Sequence, residues 1–116
     1  MSALTAGVLV DAAALSLAHE AVPPEQVVAG APTTGYATID ESDASEIGVW
    51  EMSVGAMSDV EVDETFVVIA GAATVEFVDP PLPTIALAPG SVVKLVAGMK
   101  TVWTVREPLR KIYFAT

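Results

Sequence analysis

Four carboxylates fall within six residues, at Asp59, Glu61, Asp63 and Glu64, and they are the densest source of chemistry in the chain. Glu64 opens an apolar run, Thr65-Phe66-Val67-Val68-Ile69-Ala70. On an extended strand, side chains alternate between faces, so Glu64, Phe66, Val68 and Ala70 are expected on one side. A carboxyl in such surroundings binds its proton more tightly unless a cation or a donor serves it, which suits a general acid or base. The competing expectation is a structural carboxylate, paired with Lys100 or bonded to backbone. Asp59, Glu61 and Asp63 alternate with Val60 and Val62, which gives one wholly acidic face. Like charges on one face repel, so that face is expected to meet open solvent or a cation, solvent being the commoner case.

Trp50 and Trp103 are the only tryptophans. Each offers a large rigid surface with one N–H donor, fit to wall a pocket or to fill a core. Lys100 follows the Gly98 turn and would meet a substrate carboxylate as a point charge if it reached the mouth of a site; otherwise it is a surface lysine. His19 is the sole histidine and there is no cysteine. That excludes disulfides, thiolate metal sites, a cysteine nucleophile and a triad built from histidines on several strands.

The elements that must carry these residues are short. Residues 48–53, 64–70, 73–78, 84–88, 91–96, 101–106 and 109–115 are rich in β-branched and aromatic residues, in partial alternation. Gly55, Gly71, Asp79-Pro80-Pro81, Pro89-Gly90, Ala97-Gly98 and Glu107-Pro108 read as turns between them. Strands of this length and spacing predict an all-β antiparallel sandwich or barrel. Residues 1–35 read as an irregular N-terminal leader. A short helix is expected over 12–20, and Pro23-Pro24 and Pro32 break the rest of the leader into extended pieces. Residues 40–46 read as a polar loop.

The chain has 116 residues, 53% of them hydrophobic and 17% charged, enough apolar material for one packed domain. Its formal net charge is −10, and all five basic residues lie at or after Lys94. Such a balance repels phosphate backbones, so nucleic acid is not expected as a partner. Some of the late cations are expected to face the acidic remainder across strands or across a dimer interface. The Ala-rich start lacks a positive n-region and is interrupted by Asp11, and no apolar stretch is long enough for a membrane span. A soluble cytoplasmic protein is expected.

An ordered set of motifs goes further. Gly48-Val49-Trp50-Glu51, Gly55, Asp63-Glu64-x-Phe66 and Gly71 are followed by Pro89-Gly90. Then come Gly98-Met99-Lys100-Thr101-x-Trp103-x-Val105 and Glu107-Pro108-x-Arg110-Lys111-x-Tyr113. In this order they resemble the cupin superfamily, and more narrowly the small ureidoglycine-aminohydrolase-like cupins, which include the ethanolamine-utilisation cupin. The resemblance implies a single-domain cupin, a double-stranded β-helix or jelly-roll barrel, over residues 36–116. In the general cupin pattern the metal-binding histidines would fall at Met57, Asp59 and Thr101, with Glu64 the one ligand retained. A thioether, carboxylates and a hydroxyl suit Fe, Ni, Cu or Zn poorly, so no metal cofactor is expected. A Mg or Mn site on Asp59 and Glu64 remains as an alternative.

The resemblance therefore implies a small polar metabolite bound in the barrel. Glu64 would be the anchor and acid–base group, and Asp59, Thr101, Trp103, Lys100, Phe66 and Met57 would meet the ligand. The alternative is a non-catalytic module whose barrel is filled by Met57, Phe66 and Met99. A homodimer is implied by the habit of small cupins.

Overall fold

The computed structural model describes residues 4–116. The described residues form nine strands: β1 Glu20–Ala21, β2 Val27–Ala29, β3 Thr33–Glu41, β4 Glu46–Met52, β5 Gly55–Val60, β6 Glu64–Asp79, β7 Leu82–Leu87, β8 Val92–Leu95 and β9 Lys100–Ala115. A single 3-10 turn, Pro24–Gln26, stands between β1 and β2. All pairing is antiparallel.

The two longest strands, β6 and β9, lie side by side and serve both walls of the barrel. The second half of β9 pairs with β4 on one side and with the first half of β6 on the other. Its first half pairs with β5 and with the second half of β6. One wall therefore runs β1-β3-β4-β9-β6-β8 and the other β2-β5-β9-β6-β7. This is the all-β jelly roll that the strand spacing predicts.

Two expected breaks are bends within single strands. Residues 64–70 and 73–78 are one strand, and so are 101–106 and 109–115. Gly71 has φ +95°, and a Cβ there would run into the Pro108 carbonyl oxygen. The register between β6 and β9 slips repeatedly from Val68 to Ala73, so both strands turn the corner together through bulges. The bulges also break the alternation: Phe66 and Val68 point inward as expected, but Ala70 is exposed. Gly and Pro mark a strand bend as readily as a chain reversal, which is why sequence reading divides what the fold keeps whole.

The leader differs from expectation in two ways. Residues 12–20 form turns and extended chain instead of a helix. Arg110 accounts for this, because its Nη1 donates to the carbonyl oxygens of Ala12, Ala13 and Leu15, acceptors that a helix would use internally. Further on, the leader supplies β1 to the edge of β3 and β2 to the edge of β5. The polar loop also shrinks: β3 runs to Glu41 and β4 begins at Glu46, leaving residues 42–45 as the hairpin tip.

The core lies between the walls and includes Met52, Phe66, Val68, Val75, Leu95, Trp103, Val105 and Leu109. Burying a side chain of this kind contributes roughly 1.5–3 kcal/mol. The packed floor this makes is what holds the polar groups above it in place.

Candidate functional site

A cavity of about 280 Å³ opens between the walls, lined by residues from β3, β4, β5, β6 and β9 and from the link between β5 and β6. Its carboxylates are Asp59, Glu61 and Glu64, its cation is Lys111, and Tyr36, Trp50, Trp103 and Tyr113 supply aromatic walls. Met57 lines it as well.

Lys111 reaches the interior because β9 points Leu109, Lys111 and Tyr113 inward after the bend at Pro108. The residue is only 5% exposed. Its Nζ lies 2.5 Å from Glu64 Oε2 and sits over three rings, at 4.8 Å from Trp50, 4.4 Å from Phe66 and 4.9 Å from Trp103. Ring faces carry negative potential and attract an ammonium most strongly where water is excluded. Glu64 thus does point into the barrel as the alternation implies, and its partner is Lys111, not Lys100. The late cations do meet the acidic half across strands here, and again at Arg110 and Glu51.

Glu61 corrects the reading of the acidic face. Asp59, Glu61 and Asp63 do not share solvent. Two main-chain bonds pin Glu61 to the turn before β9, its N–H donating to Met99 and its carbonyl accepting from Gly98. That directs the side chain inward, where Glu61 is 7% exposed. Its Oε2 accepts from Thr101 Oγ1 at 2.6 Å and from Trp103 Nε1 at 3.0 Å. Asp63 turns the other way, and its Oδ1 accepts from the Ala97 N–H.

Asp59 stands directly opposite Thr101 in the β5–β9 ladder and lines the cavity. Its Oδ1 accepts from the Val60 N–H at 2.9 Å. Burial, with the charges of Glu61 and Glu64 added, pushes its carboxyl up to about 6; the Val60 N–H and the Lys111 charge offset this in part. Among the described residues no cation pairs with it.

The aromatic walls are interlocked. Trp103 packs tilted against Trp50 and Phe66, both at 5.6 Å between ring centres. Tyr113 fits because position 48 is glycine, where a Cβ would strike its ring. Its hydroxyl donates to Glu46 Oε2 at 2.6 Å, joined there by Thr38 Oγ1 at 2.8 Å. These two bonds hold Glu46 below the usual carboxylate range, while burial and the Glu46 carboxylate push the phenol of Tyr113 up.

The structure thus brings Glu64, Asp59, Met57 and Trp103 together around one cavity. Phe66 is fully buried beneath it, and Thr101, on the same face as Asp59 and Trp103, is buried with its hydroxyl donating to Glu61. Lys100 does not reach the mouth. It alternates outward from Thr101, is exposed, and borders a second groove that shares Asp59 and Val60 with the cavity. Glu61, Lys111, Tyr36 and Tyr113 are site residues that sequence reasoning left without a role. The spacing of Leu109, Lys111 and Tyr113 was the one available signal, and it served only Lys111 and Tyr113.

The donor set does not fit the metal that cupins commonly hold. Glu64 is taken by Lys111 and Thr101 by Glu61, and Met57 offers a weak thioether. Among the described residues no three His, Cys, Asp or Glu side chains are grouped to hold an ion. His19 lies outside the barrel, between Glu51 Oε1 at 2.7 Å and Thr33 Oγ1 at 2.8 Å.

Comparison with known proteins agrees with this architecture. The family model of the EutQ-like cupin domain matches residues 39–113. The EutQ protein of Clostridium difficile is similar in structure at 18% identity and a TM-score of 0.63, covering 72% of this chain and 68% of that one. A DUF861-family protein of unknown function from Pseudomonas syringae is similar at 22% identity and a TM-score of 0.74; the match covers 91% of this chain and 46% of that one. The cupin domain of Schizosaccharomyces pombe Cnp3 matches at 15% identity and a TM-score of 0.67, over 94% of this chain and 74% of that one. Comparison with curated protein sequences finds no match.

Proposed function

The chain belongs to the EutQ-like cupin family, and from that premise we propose that its barrel binds a small polar metabolite and handles a proton at Asp59 without a metal. One observation carries the reading: of the two cavity carboxyls that no cation of the described residues pairs with, Glu61 is held by Thr101 and Trp103, whereas Asp59 has only the Val60 N–H and is pushed by burial up to about 6. A group poised near neutral pH can give and take a proton within one cycle. Glu64 serves a different part, holding the Lys111 ammonium in the cavity wall. Trp50 and Trp103 set the shape of the pocket. The reaction classes this would serve are isomerisation and hydrolysis, including hydrolysis of the ureidoglycine type, in which Asp59 would take a proton from a water attacking the bound substrate and return it to the leaving group.

A second reading is a binding or structural module without turnover. The wedge of Lys111 between three rings, with Phe66 fully buried below, favours it, since such packing serves stability as well as chemistry. A thermal-shift screen of small polar metabolites, followed by NMR of each hit over time, separates the two. Ligands that raise the Tm of the wild type but not of Asp59→Asn, and are converted by the wild type alone, support the acid–base reading. Ligands bound equally by both proteins and left unconverted support the module. Hits indifferent to Asp59→Asn, Glu64→Gln and Trp50→Ala together overturn both.

The protein is read as a cytoplasmic homodimer. Leu4, Val8, Leu9 and Val10 of the leader are exposed and apolar, the kind of surface a second copy covers. Among the described residues no helix is long and apolar enough to cross a membrane. Sedimentation of the purified chain tests the dimer.

A further inference from the structure

The cavity has a sign as well as a shape. Three carboxylates line it against one ammonium, and that ammonium is bound to Glu64. Thr101 and Trp103 are neutral donors, so they orient the Glu61 carboxylate without cancelling its charge. Asp59 and Glu61 are therefore left in excess, in a partly buried cleft where charges act more strongly than in bulk water.

The walls point the same way. Tyr36, Trp50 and Lys111 lie directly opposite one another across β3, β4 and β9, so their side chains share a row on one face. The inner end of that row already holds an ammonium over ring faces, at 4.4 to 4.9 Å. The outer end, at Tyr36, is open, the residue being 67% exposed. An anion entering here would meet two uncompensated carboxylates, and a neutral molecule would gain a hydrogen bond from them but no charge attraction.

Resting on the binding reading above, we propose that the ligand is a small organic ammonium ion, its nitrogen against Asp59 and its carbons against Trp50 and Tyr36. A volume of about 280 Å³ holds such an ion with room to spare, since a cavity of about 150 Å³ already takes a benzene.

Both tryptophans of the chain border the cavity, so all of the indole fluorescence reports on it. The experiment is a fluorescence titration at pH 7.5 with n-propylammonium, tetramethylammonium, 1-propanol and propionate, repeated at pH 5. The groups that face Asp59 are Glu61, Glu64 on β6, Lys111 and Tyr113 on β9 and Tyr36 on β3, with Lys100 across the neighbouring groove. Saturable binding of at least one ammonium probe is expected, about tenfold or more tighter than propanol, with propionate weakest. Protonation of Asp59 should weaken that binding about tenfold at pH 5, and Asp59→Asn should lower the affinity at pH 7.5 and remove the pH effect. Propionate binding more tightly than propylammonium, equal affinity for propanol and propylammonium, or wild-type affinity in Asp59→Asn would each overturn the inference. So would the absence of any saturable response. If the metabolite screen still yields uncharged or anionic ligands that depend on Asp59, the binding reading stands while the ammonium assignment falls.

Discussion

Lys111 carries a charge in a place where charge is expensive, and Glu64 with three ring faces offsets the cost. Removing one partner of a buried pair strands the other, so Lys111→Met should lose about 3 kcal/mol in urea unfolding. Glu64→Gln with Lys111→Met should lose less than the two single variants added together. Thr101→Val takes a donor from Glu61 and an acceptor from Trp103, and a cost of about 1–2 kcal/mol is expected in the same measurement.

Asp59 works in the other direction. Its folded-state value of about 6 lies above its ordinary value of 3.8, so between these limits the folded chain binds more protons than the unfolded one. Its contribution to stability is therefore lost as pH rises from about 4 to about 6. Asp59→Asn should stabilise the protein at pH 7, by about 1 kcal/mol once screening by the solvent that reaches the group is allowed for, and not at pH 4. Glu51 has the opposite sign. Burial raises it, but the hydrogen bonds and charges of Arg110 and His19 outweigh that and hold it below its ordinary value. The stability it lends is present above about 4.5 and is lost at lower pH. At this scale Glu64 could be read from its setting ahead of an apolar strand. Lys111 could not, because its partner lies 47 residues earlier and sequence records no distance across a sheet.

Among the elements, the corner at Gly71 and Pro108 decides whether β6 and β9 can serve two walls at once. Gly71→Ala meets both a left-handed φ and the Pro108 carbonyl. It should cost well over 1 kcal/mol in thermal or urea unfolding, more than Gly90→Ala, where φ is similar but no atom lies within 4 Å. The strands themselves were readable from β-branched and aromatic content, because that content is what a pleated, half-buried surface demands. Their continuity was not, since a bulge and a turn use the same residues. The failed helix over 12–20 has a comparable cause: local propensity favoured it, and Arg110, nearly a hundred residues away, claimed its carbonyls. Arg110→Ala should free the leader, seen as new protease cleavage before residue 20 with the indole fluorescence of the cavity unchanged.

Over the whole molecule, two of the five basic residues, Arg110 and Lys111, serve structure, and Lys94, Lys100 and Arg106 are exposed. Lys111 is in the cavity wall, while Arg110 and Glu51 tie the leader to the outer face of β4 and β9. Val49, buried on that same outer side, is further sign that the face is covered. What remains is an acidic exterior, legible in the composition from the start. The acidic interior was not, because Glu61 turns inward through two main-chain bonds that no charge pattern announces.

The cation in this barrel is attached to the chain. A bound ion has an affinity, competes with other ions and can be stripped by a chelator, whereas the ε-amino group of Lys111 is supplied at one per molecule as soon as the strand is made. Nor is it easily removed: a reagent that acylates amines would find Lys94 and Lys100 in the open long before Lys111, which is 5% exposed and paired with Glu64.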